Sequence, residues 1–119
     1  CTARVWADLL VKHAKPLVEL DPAEAALDLA ERSGADGIVV TGTRTGAPVD
    51  AALLATVKDA VGTFPVVLGS GLNPATAPAL WPRCDGAIVG TWLKRDGVLH
   101  HPVDADRVRQ LRKELERLR

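Results

Sequence analysis

Aromatic residues make up only 3% of this sequence, cysteine occurs twice, and neither sign of charge is in excess. The scarcity of rings argues against a nucleic-acid surface, because base-stacking platforms are built from them. Trp6, Trp81 and Trp92 are scattered along the chain and read as packing residues. Lys plus Arg number 15, as do Asp plus Glu, so no overall field draws the chain to nucleic acid or to a membrane. No apolar run approaches the roughly 18 residues of a membrane span, and the opening residues do not read as a leader. Cys1 and Cys84 show no CxxC or metal-ligand spacing, and point to a cytoplasmic protein with reduced thiols.

What is present is a small, well-patterned domain: 119 residues, 47% of them hydrophobic. Four apolar runs have strand character, Val5 to Val11, Gly37 to Thr41, Pro65 to Leu68 and Ala87 to Val89. The second and last are rich in Val and Ile on both faces, as doubly covered strands of a parallel sheet are. Helical stretches alternate with them. Asp21-Pro22-Ala23-Glu24 supplies an N-cap, a first-turn Pro and a capping-box Glu, and Ser33-Gly34 ends that helix. Asp50 caps a second helix ending near Gly62, Asn73-Pro74 opens a third limited by Pro78 and Pro82, and Asp104 opens a fourth. In the fourth, Val108, Leu111, Leu115 and Leu118 form one stripe.

The order β-α-β-α-β-α-β-α predicts a parallel α/β sheet with right-handed crossovers. A weak internal echo, Ala35-Asp36-Gly37-Ile38-Val39-Val40 against Cys84-Asp85-Gly86-Ala87-Ile88-Val89, adds to the impression of repeated units. Four consecutive βα units are half of a (β/α)8 TIM barrel, which takes about 250 residues when whole. Residues 1–119 are therefore expected to form a single partial domain, a half-barrel. Opening on Cys1 rather than Met, with a strand-like run within a few residues, fits a cut inside a longer protein. Four strands cannot close alone. A truncated fragment lacking its N-terminal half is the first expectation; a homo-oligomer of half-barrels and an open α/β sheet are the others.

Two glycine loops carry the chemistry. Val66-Val67-Leu68 stops at Gly69-Ser70-Gly71, and Ala87-Ile88-Val89 stops at Gly90-Thr91. Missing side chains let an anion approach the backbone, the hydroxyls add donors, and helix N-termini just beyond favour negative charge. Lys94 could add a cation. Read apart, each glycine could simply permit a tight turn; read together, on neighbouring strands, they point to a phosphate. Gly42, Thr45 and Gly46, around Arg44, suit a further ligand contact or a solvated turn capped by Asp50. Lys12 and His13, at the C-terminal end of the first strand, lie where barrel chemistry occurs, and are the candidate catalytic pair. Asp36 and Asp85 enter strands at the opposite, stability-bearing end, where turn or capping roles are expected. Asp96-Gly97 reads as a turn. His100 and His101 have no partners at metal spacing, so neither a metal nor a cofactor is expected. The basic run from Arg107 to Arg119, broken by Glu114 and Glu116, reads as the solvated face of an amphipathic helix.

At these positions the chain resembles the C-terminal half of the BtpA family of barrel proteins. The resemblance is carried by Val11-Lys12-His13-Ala14-Lys15-Pro16-Leu17, Ala35-Asp36-Gly37-Ile38-Val39-Val40-Thr41-Gly42 with Thr45-Gly46, and Pro65-Val66-Val67-Leu68-Gly69-Ser70-Gly71. It continues through Asp85-Gly86-Ala87-Ile88-Val89-Gly90-Thr91 with Leu93-Lys94, Asp96-Gly97, and Pro102-Val103-Asp104 with Arg107-Val108. His101 departs from the Asn usual in the family, and the family's Met-Val-His-Leu first strand and Pro-Gly loop have no match here. The family is linked to photosystem I biogenesis in cyanobacteria, and similar proteins of non-photosynthetic organisms are often described as isomerase-like. The resemblance thus implies a barrel with a phosphate pocket. Such a protein would act on a phosphorylated small molecule as an isomerase or lyase, serve as a non-enzymatic assembly or stability factor, or, as a fragment, have no activity of its own.

Overall fold

A computed structural model describes residues 3–9, 21–41 and 50–119 of the chain. In order these form β1 (Trp6–Leu9), α1 (Pro22–Arg32), β2 (Gly37–Val40), α2 (Ala51–Val61), β3 (Val66–Leu68), α3 (Ala77–Leu80), β4 (Gly86–Ala87) and α4 (Ala105–Arg117). Short 3-10 turns at Trp81–Arg83, Thr91–Leu93 and Arg95–Gly97 link the later elements.

The helix starts are set by local chemistry. Asp21, Asp50 and Asp104 each accept a hydrogen bond from the backbone N–H two residues on, at 3.2, 2.8 and 2.9 Å, and satisfy an otherwise open amide. α3 is the exception. Pro78 and Pro82 confine it to a single turn, and the chain continues as a 3-10 turn.

All four strands pair in parallel, in the sequential order β1-β2-β3-β4. Alternation along them separates two faces. Leu9, Ile38, Val40, Val66 and Leu68 point to one face and form the core with Ala26, Leu54, Val57, Ala77 and Leu80 from the helices. α1 packs against α2, and α2 against α3, so the helices line that one face. On the other face a row of paired positions runs Asp8, Val39, Val67, Gly86 across the sheet. No described helix covers it, and Trp6 and Ile88 remain 44% and 58% exposed there.

β4 begins and ends one to two residues earlier than the expected Ala87 to Val89, because its pairing to β3 stops where the Ile88 N–H reaches the Leu68 carbonyl at 2.8 Å. The two Asp-Gly echoes turn out to be the same clamp. Asp36 exchanges backbone and side-chain hydrogen bonds with Val5, and Asp85 does so with Val66, each pinning the start of the preceding strand segment. Lys58 reaches across from α2 to Asp85 at 2.6 Å and to the Phe64 carbonyl at 3.1 Å.

Candidate functional site

Because β3 and β4 are adjacent and parallel, their C-terminal ends open on one rim; Gly69-Ser70-Gly71 follows β3 directly, and Gly90-Thr91 comes after Ile88 and Val89 beyond the end of β4. Neighbouring strands lie about 4.8 Å apart, so the two loops share one small region of backbone.

The glycines within it have different reasons to be glycine. The Gly69 N–H donates to the Val40 carbonyl at 2.7 Å. A Cβ on Gly69 would collide with the Thr41 methyl and come within 2.8 Å of a Val39 methyl. Its role is close strand packing. Gly71 has φ +85°, a left-handed conformation that side chains resist. Gly90 is neither crowded nor left-handed: open space lies where its Cβ would be. Among the described residues, the N–H groups of Gly71, Gly90 and Thr91 meet no acceptor.

The helix expected just beyond the first loop does not offer its amides. The Asn73 carboxamide oxygen accepts the Ala75 and Thr76 N–H groups at 2.8 and 3.0 Å. Thr76 Oγ1 in turn donates to the Gly71 carbonyl at 2.7 Å and accepts the Asn73 N–H at 3.0 Å. This network fixes the loop's shape and closes the turn upon itself. Residue identity foretold the Asn cap, but not that the cap would consume the very amides an anion would use.

After β4, Thr91–Leu93 turns into a small hairpin in which Lys94 pairs antiparallel with Val103. Arg95 N–H donates to the Pro102 carbonyl and Asp104 N–H to the Leu93 carbonyl, at 2.9 and 2.8 Å. Arg107 stacks over the Trp92 ring, 4.8 Å from its centre, and donates to the Trp92 carbonyl at 2.7 Å. By sequence Arg107 belongs to a solvated basic run, whereas in the fold it anchors the turn that carries Thr91. Arg119, at the other end of that run, lies 4.1 Å over Trp81. An arginine after a tryptophan-bearing loop is too common a pattern to have marked either contact in advance.

Elsewhere, His101 Nδ1 lies 3.0 Å from the Arg95 carbonyl, a contact in which only the ring N–H can donate. No group of three or more metal-ligating side chains occurs among the described residues. Burial pushes the Cys84 thiol up from its ordinary value, more than the nearby Arg119 pulls it down, so it is an unreactive packing group. Lys12, His13, Gly42, Thr45 and Gly46 lie outside the described residues. Nor is any described helix long and apolar enough to cross a membrane.

The fold and rim define a parallel α/β protein with one helix-covered sheet face and paired glycine loops at its C-terminal edge. Comparison with known proteins narrows this class. The family model described as the BtpA family matches residues 1–117, and the chain belongs to that family. An uncharacterized protein of Thermococcus kodakarensis is 44% identical over 108 residues, covering 91% of this chain and 40% of its own length. An uncharacterized protein of Methanocaldococcus jannaschii is 39% identical over 108 residues, with the same coverage of 91% and 40%. The photosystem I biogenesis protein BtpA of Synechocystis is 38% identical over 104 residues, covering 87% of this chain and 36% of that protein. The chain spans about two-fifths of the length of the curated relatives it matches. No solved structure matches it.

Proposed function

We propose that this chain is one arc of an eight-stranded barrel whose rim binds a phosphorylated small molecule through the two glycine loops. The observation that carries the reading is the set of open N–H groups of Gly71, Gly90 and Thr91 at the ends of adjacent parallel strands. Uncommitted amides converging at strand ends form a concavity of partial positive charge suited to a phosphate. Ser70 and Thr91 bring hydroxyls to the same rim, and Gly69 allows the strands to approach closely enough to build it. Asn73 and Thr76 hold the first loop in shape, and Arg107 holds the second.

The barrel half of the reading is supported by strand order. A doubly wound sheet reverses its order at a switch point and carries helices on both faces. Here the order is sequential, and one apolar-rich face has no described helix upon it. Closing four more strands over that face would bury Trp6, Val67 and Ile88 and bring Lys12 and His13 to the phosphate-bearing rim, where they would perform proton transfer of an isomerase or lyase type. Gly42, Thr45 and Gly46, after β2, would complete the pocket wall.

Isothermal titration with inorganic phosphate tests the site. Filling the open space with Gly90→Val should abolish the binding heat while leaving thermal unfolding unchanged; equal binding by the variant would remove the site from Gly90. A second reading is favoured by the likeness to the Synechocystis photosystem I biogenesis protein, namely a non-enzymatic assembly factor. Under that reading phosphate esters are not turned over and Lys12→Ala has no effect on partner assembly.

A further inference from the structure

We propose that Asp8 recognises the far end of the ligand, accepting hydrogen bonds from the hydroxyls of a sugar phosphate whose phosphate lies on the glycine loops. This rests on the phosphate reading above and deepens it from an anion to a class of ester.

Strand register places Asp8. It pairs with Val39, Val39 with Val67, and Val67 with Gly86, so the four form one row across the sheet. Leu9, the next residue, is 3% exposed in the helix-covered core, so Asp8 points to the uncovered face. Gly69 opens on that face too, because a Cβ there would run into the Thr41 methyl and into Val39, the row neighbour of Asp8. Toward the strand entries the Trp6 ring lies where a Gly37 side chain would be, and forms a floor beneath the row.

The row does not have the composition of a filled interior. Barrel interiors are packed by layers of bulky branched side chains. Val39 and Val67 obey that rule, but the row begins with a carboxylate and ends with a glycine. Crowding does not require that glycine: a Cβ on Gly86 would meet only a Val67 methyl, at 3.7 Å. Its effect is to leave space. No donor among the described residues reaches the Asp8 carboxylate. An ionised carboxylate only accepts, and once the face is covered its lone pairs need donors. The row supplies none, so the ligand must. Two oxygens side by side suit two neighbouring hydroxyls.

Distance sets the length of the ligand. Asp8 lies two strands from β3, about 10 Å across the sheet, and its level at Val67 falls about 13 Å short of Gly71 along the strand. Inorganic phosphate cannot bridge that span. A pentose phosphate is long enough, given the reach of the Asp8 side chain and a hydrogen bond at each end.

The test is calorimetric titration of the full 119-residue chain, which carries both contacts, with ribose 5-phosphate, pentyl phosphate and inorganic phosphate. Ribose 5-phosphate should bind about fivefold more tightly than the other two, the worth of one hydrogen bond to a charged group. Asp8→Ala should erase that advantage, while inorganic phosphate, which does not reach Asp8, binds as before. Asp8→Asn keeps one acceptor oxygen and should retain part of the advantage; it replaces the Ala variant if circular dichroism shows that one unfolded. Unchanged preference for ribose 5-phosphate in both variants would overturn the role of Asp8 and leave the phosphate rim standing. Pentyl phosphate binding as tightly as ribose 5-phosphate would overturn hydroxyl recognition. Loss of inorganic phosphate in a folded Asp8→Ala would make Asp8 a support of the rim instead of a ligand contact. Failure of the parent chain to bind inorganic phosphate would overturn the rim and this inference with it.

Discussion

Asp85 holds Val66 from both sides of a single residue: its N–H donates to the Val66 carbonyl at 2.8 Å, and its carboxylate accepts the Val66 N–H at 2.8 Å. Asp36 holds Val5 in the same way, with both bonds at 2.7 Å. These clamps lie at the strand entries, away from the glycine rim. They fix the parallel register, and register decides whether Gly71 and Gly90 arrive at the same level. Lys58 reinforces the second clamp only, so the pair that carries the glycine loops is the better secured.

Removing that clamp should therefore be felt. Asp85→Ala leaves the Val66 N–H without its acceptor and Lys58 without its ionic partner, at a cost of about 1–3 kcal/mol. Asp85→Asn keeps an acceptor for Val66 and loses less. Urea denaturation of the two variants gives the order, and equal losses would mean that the ion pair with Lys58 dominates instead.

The same carboxylate predicts a pH dependence. Burial works to raise its pKa, but the Lys58 hydrogen bond, the Val66 N–H and the charges of Lys58 and Arg119 outweigh it and hold the group below its ordinary 3.8. The folded chain then takes up this proton less readily than the unfolded one. The contribution is complete above the ordinary value and is lost as pH falls below 3.8 through the lower folded value. The stability gap between the parent and Asp85→Asn should accordingly shrink as the pH falls below 3.8, and a constant gap would contradict the assignment.

The glycines should separate by function. Gly69→Ala forces a methyl against Val39 and Thr41 and should cost about 1–3 kcal/mol of stability. Gly71→Ala, at φ +85°, should cost about 1–2 kcal/mol. Gly90→Ala meets open space and should change stability by less than about 0.5 kcal/mol. Thermal melts of the three variants check the ranking.

Arg107 should matter to binding through the turn it braces. Arg107→Ala removes the stack on Trp92 and the hydrogen bond to its carbonyl, and frees Thr91–Leu93 to move. Phosphate affinity should fall by about 5- to 10-fold, the equivalent of losing one braced hydrogen bond. Arg107→Lys, which keeps charge but not the planar stack, should recover only part of it. Full recovery by lysine would assign the effect to charge alone.

Much of the fold could be read from residue order. Asp caps, glycine stops and apolar strand cores obey short-range rules, so α1, α2, α4 and the parallel order of the strands follow the sequence, with β4 alone displaced toward its start. Legibility failed where tertiary contacts decide. Asn73-Pro74 looks like a helix start, and only the Thr76 hydroxyl, reaching back to Gly71, turns it into a closed cap. Gly69 and Gly90 look alike as letters, and a neighbouring strand makes one of them indispensable to packing and leaves the other open. The partners of Arg107 and Arg119 lie 15 and 38 residues away, beyond any local pattern. Lys12, His13, Gly42, Thr45 and Gly46 lie outside the described residues.

The central claim is that the two strand ends jointly hold one anion, and amide-resolved NMR during titration with inorganic phosphate tests it most directly. The account predicts saturable shifts in the Gly71, Gly90 and Thr91 amides that share one dissociation constant and are reversed together by competing sulfate. Shifts confined to the arginine-rich surface of α4, or different constants for the two loops, would contradict it.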